Sequence, residues 1–327
     1  MTRFFMLRLG QSLIVLFVMS FLIYGLMGLM PGDPIDLMIS SNPNITSADA
    51  RHLRQLYGLD LPIYERYWNW LVSALSGDLG YSRLFSQPVL DVLIPALKNS
   101  VLLLGLALVL SVSIAIPVGV LAAAKPRSIF DYGVNLFAFA GISIPSFWLA
   151  LMLLILFAVQ LGWLPAGGTA PTDSGFFEQL RHLILPAATI TVASVGGHAR
   201  YVRASMLEVL RQDYIRTARA KGASTLRVIW VHGLRNAMIP VVTILALDFG
   251  TLFSGALITE TIFSWPGMGK LIFESVMGND FNLALVALLF ATTLTLTGNV
   301  LADICYAWLD PRISVGGNTT STHGVSA

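Results

Sequence analysis

Charge is what this sequence has least of. Only 12% of its 327 residues are Asp, Glu, Lys or Arg, about half of the ~25% usual in a soluble domain. With 55% hydrophobic residues and a mean hydropathy of +0.74, that scarcity excludes an ordinary soluble globule and places most of the chain in lipid. Cysteine is nearly absent. Cys305 stands alone, which excludes an intramolecular disulfide, and in its apolar run it reads as a small core residue. The five His residues show no metal-ligand spacing, so no metal site is expected. No Ser-His-Asp, His-Glu-x-x-His or Cys-x-x-Cys arrangement is legible. Asp33 and Asp36 read as a turn and cap rather than a catalytic pair. No nucleic-acid partner is expected.

What the sequence has in abundance is long charge-free runs. A helix needs about 20 mostly apolar residues to span a bilayer. The runs place spans over 9–32, 99–124, 132–161, 182–203, 236–259 and 281–309. The third is long, and Gly162, Pro165 and Gly167-Gly168 end it near Leu161. Asp248 and Asp303 interrupt the fifth and sixth. Arg3 and Arg8 ahead of the first run resemble a signal peptide, but the run is too long and no small-x-small cleavage site follows, so it reads as an uncleaved anchor.

Orientation follows from where Lys and Arg fall in the loops. With residues 1–8 in the cytoplasm, the segments 1–8, 125–131, 204–235 (with Arg200 and Arg203 beside it) and 310–327 hold thirteen basic residues against four acidic ones. The opposite side holds seven basic and twelve acidic residues. The expected fold is therefore an all-α integral membrane protein with six transmembrane helices and both termini inside. Residues 33–98 are long enough for a small external helical subdomain. One helix there is capped by Thr46 or Ser47 and stopped by Gly58. Another has Pro62 in its first turn and ends at Gly77. The aromatics of the second (Tyr64, Tyr67, Trp68, Trp70) suit packing onto the spans, a membrane interface or a docking surface. Loops at 162–181 and 260–280 complete the outer side. The tail from Ser314 reads as disordered.

One inner segment has more design than topology requires. Arg216–Asn236, "RTARAKGASTLRVIWVHGLRN", carries Arg216, Arg219, Lys221, Arg227 and Arg235, one His and no acid. Ile215, Ala218 and Gly222 follow one another at helical spacing. Gly222 offers a helix stop at positive φ, and Ser224 or Thr225 caps a second short helix. Leu226, Ile229, Trp230 and Gly233 form one apolar stripe. On these residues alone three readings stay open: a topology signal, a lipid-headgroup binder, or a docking element for a cytoplasmic protein.

This loop resembles the signature loop of ABC-importer permeases. The series is Arg216-Thr217-Ala218, then Arg219-Ala220-Lys221, then Gly222-Ala223, closed by Ile229 and Leu234-Arg235. Arg216 stands where the pattern has an acid and Arg235 where it has a Pro. Both departures fit the dipeptide, oligopeptide and nickel branch. Further stretches match the same branch in order: "MPGDP", "YGLDLP", "GDLGYS", "IPVGVLAA", "SIPSFWLALML", "LGWLPA", "ILPA", "ETIFSWPGMG" and "LDPRI". "GNDFN" (Gly278–Asn282) departs from the usual Arg-Asp-Tyr-Pro.

The resemblance implies a type I importer-like permease subunit in the bacterial inner membrane. It would be paired with a second, similar permease, driven by two cytoplasmic ATPases and fed by an external solute-binding protein. Tyr214, Arg216, Thr217, Ala218, Gly222, Ala223, Ile229, Leu234 and Arg235 then form the ATPase-coupling loop. The implied cargo is a dipeptide or oligopeptide, with nickel chelates, glutathione and other small solutes as alternatives. A self-sufficient secondary transporter would show internal repeats with paired broken helices, and none is convincing here.

This chain carries no ATP site. The nearest decoy, "GMGKL", has Ser264 for the first Gly of the phosphate loop and Leu271 where Ser or Thr belongs. ATP and Mg²⁺ are therefore assigned to the partner ATPases. The mid-span carboxylate of Asp248 costs about 3 kcal/mol on insertion scales, so it is expected to face the pathway or a partner or to be neutral. Two readings stay open, a structural hydrogen bond to another helix and a candidate pathway residue for a cationic cargo group. Asp303 reads as structural, and His198 as an interface residue at the inner end of the fourth span.

Overall fold

The computed structural model describes residues 2–29, 60–171, 173–251 and 256–309. It is helical apart from one two-stranded antiparallel pairing, which the all-α expectation did not include. The elements in order are α1 (Thr2–Gly28), α2 (Ile63–Leu75), β1 (Tyr81–Ser82), β2 (Gln87–Pro88), α3 (Val89–Ala124), α4 (Ile129–Ser143) and α5 (Ser146–Leu153) with a π-helical continuation (Leu154–Gln160). There follow α6 (Phe176–Val209), α7 (Asp213–Ala220), α8 (Thr225–Arg227) with a π-helical continuation (Val228–Gly233), α9 (Leu234–Thr251), α10 (Leu257–Ile262), α11 (Met268–Met277) and α12 (Phe281–Leu309).

Among the described residues, α1, α3, α6 and α12 are long and apolar enough to cross a membrane. The pair α4–α5 makes a fifth if it is counted as one broken span. The expected third span, 132–161, is therefore not one helix. Its two halves are bent by 97°. The break falls at Ile144-Pro145, where Ile144 is extended (φ −78°, ψ 121°), the conformation a following proline imposes. The second span runs longer than its charge-free stretch, because α3 starts at Val89 rather than Asn99. At about 1.5 Å per residue it is about 54 Å long, well beyond a ~30 Å hydrocarbon core. The fourth is extended likewise, to Phe176–Val209. Helix α9 follows the expected fifth span as far as Thr251.

The helix expected from Thr46 or Ser47 to Gly58, the motif "MPGDP" and the tail from Asp310 lie outside the described residues. Helix α2 forms close to its expected place, with Pro62 at its N-cap rather than in its first turn and its end at Leu75, two residues before Gly77. Its aromatics divide. Tyr67 is buried against Phe17, Phe21 and Tyr24 of α1, its hydroxyl 2.7 Å from Ser20 Oγ. Tyr64 and Trp68 face outward.

Two apolar clusters sit at opposite ends of α3. Val89 and Leu93 pack with Met268, Leu271, Leu283 and Val286. Val120 and Ala123 pack with Val202, Met206, Ile229, Ala237 and Val241. Close helix approach is set by small residues, as in membrane bundles generally. A Cβ at Gly196 of α6 would lie 2.8 Å from the Ala138 carbonyl of α4. The opening of α12 departs from the family pattern but is well built. Asp280 accepts from Leu283 N as its cap, and its other oxygen takes Ser82 Oγ at 2.6 Å and Leu84 N at 3.0 Å. It thereby ties the β-pairing to the helix.

Candidate functional site

The loop between α6 and α9 folds as helix, glycine turn, helix. Helix α7 stops through paired backbone bonds, Ala223 N to Ala218 O (3.1 Å) and Gly222 N to Arg219 O (2.9 Å). Gly222 sits at φ +82°, the left-handed position this motif needs, where a side chain is strained. Ser224 then caps the next turn by accepting from Arg227 N at 3.4 Å. Stop and cap thus fall where the sequence put them.

The apolar stripe does not. Ile229 and Gly233 are buried, but Leu226 is 71% exposed and Trp230 faces solvent. Helix α8 is only Thr225–Arg227, and the backbone then widens to π-helical spacing over Val228–Gly233. That shifts the register so that Val228 and Ile229, adjacent in sequence, are both buried. A 3.6-residue period cannot anticipate this.

A groove of about 440 Å³ opens at the glycine turn. Tyr214, Thr217, Ala218, Lys221, Gly222 and Ala223 line it, joined by Arg227 and His232. No atom of the described residues lies within 4 Å of a Cβ placed at Gly222, so among them the turn faces open space. Burial raises the Tyr214 phenol above its ordinary pKa, against a hydrogen bond with Asn236 that lowers it. The four other expected loop residues lie off the groove. Arg216 is exposed and pairs with Asp213 (3.2 Å). Arg235 is exposed, Leu234 is partly buried, and Ile229 belongs to the apolar cluster that fixes the loop to α3, α6 and α9. The groove can therefore take a complementary surface carrying acceptors or negative charge, while its floor is fastened to the spans.

Several contacts that sequence spacing did not reveal provide the fastening. Asp131, 2% exposed at the start of α4, binds the guanidinium of Arg203 on α6 through both oxygens. It also accepts from Arg127 N (2.8 Å) and Asn135 Nδ2 (3.0 Å). A bidentate, buried pair of this kind holds orientation as well as distance. Its only sequence signal was an acid among cations at a span end. Ser205 Oγ donates to Ala237 O at 2.7 Å, joining α6 to α9.

Ser111, His198 and Asp248 form a hydrogen-bonded chain across α3, α6 and α9. Ser111 Oγ is 2.7 Å from His198 Nδ1, and His198 Nε2 is 2.6 Å from Asp248 Oδ2. His198 is therefore a buried interior residue and not an interface one. The order of residue types is that of a hydrolase triad, but Ser111 is fully buried, so no substrate reaches it. Asp303 pairs with Arg8 at 3.1 Å, linking α12 to α1 in the structural role expected.

At the other end of α3 the motif "ETIFSWPGMG" closes on Glu260, which is fully buried. Its carboxylate accepts from Ser100 Oγ (2.6 Å), Ala256 N (3.2 Å) and Lys270 N (3.0 Å). Gly267 leaves room for it, since a Cβ there would collide with the carboxylate, while a Cβ at Gly269 would collide with the Leu257 backbone. Among the described residues no group of three or more His, Cys, Asp or Glu could hold a metal ion.

Comparison with known proteins fits this architecture. Residues 115–315 match the family model described as binding-protein-dependent transport system inner membrane component, and residues 1–97 match the corresponding N-terminal model. The chain is 40% identical over 316 residues to the oligopeptide transport system permease protein AppB of Bacillus subtilis (strain 168), covering 96% of this chain and 99% of that protein. It is 37% identical to the di/tripeptide transport system permease protein DppB of Pseudomonas aeruginosa (strain UCBPP-PA14) and 35% identical to the dipeptide transport system permease protein DppB of Escherichia coli (strain K12). Each of these two matches also covers 96% of this chain and 99% of the relative. The chain belongs to the family of binding-protein-dependent transport system inner membrane components, the membrane-embedded subunits of ABC importers.

Proposed function

We propose that this chain is a permease subunit of an ATP-driven, solute-binding-protein-dependent importer of dipeptides or oligopeptides. The observation that carries the reading is the open groove at the Gly222 turn, built on a two-helix element joined to α6 by a short turn at 210–212 and running directly into α9. Such an element receives a partner's surface and passes its movement to two spans as a rigid body. The cargo class rests on the names of the full-length relatives, which handle dipeptides, di/tripeptides and oligopeptides.

In this reading the chain has six spans with both termini in the cytoplasm, the 33–98 segment outside, and the 204–235 loop inside. Two cytoplasmic ATPases supply ATP hydrolysis with Mg²⁺, a second permease completes the pathway, and an external binding protein delivers cargo. Tyr214, Thr217, Ala218, Gly222 and Ala223 contact an ATPase directly. Ile229 and Leu234 seat the loop, and Arg216 and Arg235 sit at the edge of the contact. The side chain of Asp248 is 43% exposed in the single chain. A mid-span carboxylate that meets lipid is costly, so this exposure favours a place on the pathway, where it would meet the cargo's ammonium group.

The test is recovery of the tagged chain from its native membrane, followed by uptake in proteoliposomes. Copurification of two ATPases and a second permease, with peptide uptake only when ATP is inside, is the expected result. Uptake by the purified chain alone, without ATP, overturns the reading. Asp248→Asn with matched expression and unchanged uptake at low peptide concentration removes Asp248 from the pathway.

A further inference from the structure

The loop is useful for transmission only if α6 and α9, which flank it, do not slip past each other. Two hydrogen bonds bear on this. Close to the loop, Ser205 on α6 donates to the Ala237 carbonyl on α9. Seven residues away along α6, about 10 Å, His198 meets Asp248 at 2.6 Å. Val202 and Met206 of α6 pack with Ala237 and Val241 of α9 at the same junction. His198 uses both ring nitrogens across helices, to Asp248 of α9 and to Ser111 of α3. With the carboxylate accepting from Nε2–H, Nδ1 accepts from the Ser111 hydroxyl, so one neutral tautomer satisfies all three groups. Sliding α9 by one helical turn, about 5.4 Å, would leave the buried imidazole of His198 without this bond, and unpaired polar groups in a buried site are costly.

We propose that His198 is a positioning residue that locks α6 to α9, so that loop displacement reaches both spans together and is not absorbed by slip between them. The inference rests on the importer reading above. It concerns His198, which is 8% exposed and too buried to touch cargo. Its effect is therefore separable from any contact between Asp248 and the transported molecule.

The two bonds can be removed one at a time. His198→Gln places an amide at the reach of Nε2 and keeps the link to Asp248. His198→Asn places one at the reach of Nδ1 and keeps only the link to Ser111. His198→Ala removes both. In the assembled importer carrying Cys305→Ser, spin labels at Val192→Cys on α6 and Ile244→Cys on α9 report the separation of the two spans, nucleotide-free and trapped with ATP and vanadate. With His or Gln at position 198 the separation is expected to stay the same in both states. With Asn or Ala it is expected to shift or broaden on trapping. With a mixture of di- and trialanine as cargo, ATP consumed per peptide imported should rise about threefold for Asn and Ala and stay near wild type for Gln, the scale of one interhelical hydrogen bond.

A separation that already changes on trapping in the wild type overturns the lock. So does an Ala variant indistinguishable from wild type, or function restored by Asn and not by Gln. A wild-type complex that binds its ATPases but imports neither peptide counts against the cargo assignment alone, because the span separation is read without cargo.

Discussion

The two ends of α3 handle charge in opposite ways. At one end, Glu260 is wholly enclosed, and its acceptors are taken up by Ser100 and by two backbone N–H groups of the turns beside it. At the other, Lys221 and Arg227 stand in solvent around a groove that nothing among the described residues fills. The first arrangement is complete by itself and fixes a turn. The second, in the proposed function, is half of an interface. Cations lining an open groove contribute little to the chain's own stability and acquire their value when a complementary surface arrives.

Substitutions can break or sharpen that contrast. The largest effect is expected from Gly222→Glu. It puts bulk and negative charge on the turn facing the partner and should abolish ATP-coupled uptake. The strain of the left-handed position costs the folded chain only about 1–2 kcal/mol, so membrane insertion should persist. Retained uptake in vesicles would mean that the turn is not the contact. Next is Glu260→Ala, which strands Ser100 Oγ and two backbone donors in a buried site. It should lower stability by about 3 kcal/mol or more, read as a drop in the melting midpoint of the detergent-solubilised chain. A midpoint like wild type would erase the distinction between the two ends.

Arg203→Lys keeps the charge beside Asp131 but loses the two-point geometry. A loss of about 1–2 kcal/mol is expected, with uptake reduced in proportion to the folded fraction. A fall in uptake at full stability would move Asp131–Arg203 from anchoring to transmission. The smallest effect belongs to Arg216→Ala, whose exposed pair with Asp213 contributes less than about 0.5 kcal/mol. Its melting midpoint should be unchanged, and only the salt dependence of ATPase association should weaken.

Much of this was legible in the chain itself. Long charge-free runs coincide with α1, α3, α6 and α12, the four described helices long and apolar enough to cross a membrane. Gly222 followed by Ser224 located the stop and restart of the loop, because both signals act within a few residues. Pro145 was visible too, but a 97° bend within a run apolar on both sides leaves no mark in hydropathy. The same holds for the π-helical turn over Val228–Gly233, which buries Ile229 while leaving Leu226 and Trp230 exposed. Backbone spacing there is set by how the loop seats on α6 and α9, not by the order of apolar residues. The early start of α3 at Val89 was hidden because Asp91 and Lys98 broke the charge-free run, although a helix carries charges readily beyond the hydrocarbon.

The sequence by itself determined that the chain lives in lipid, where its apolar runs begin and end, and that one basic loop carries a glycine turn. Each of these follows from forces acting on neighbouring residues: transfer into hydrocarbon, helix capping and the permitted values of φ. Only the tertiary structure decided that His198 would hold Asp248 and Ser111, that Arg203 would hold Asp131, and that Glu260 would close the turn against Ser100. Those partners stand 50 to 160 residues apart. A polar group in an apolar interior must find a partner, but which one it finds depends on which helices pack together.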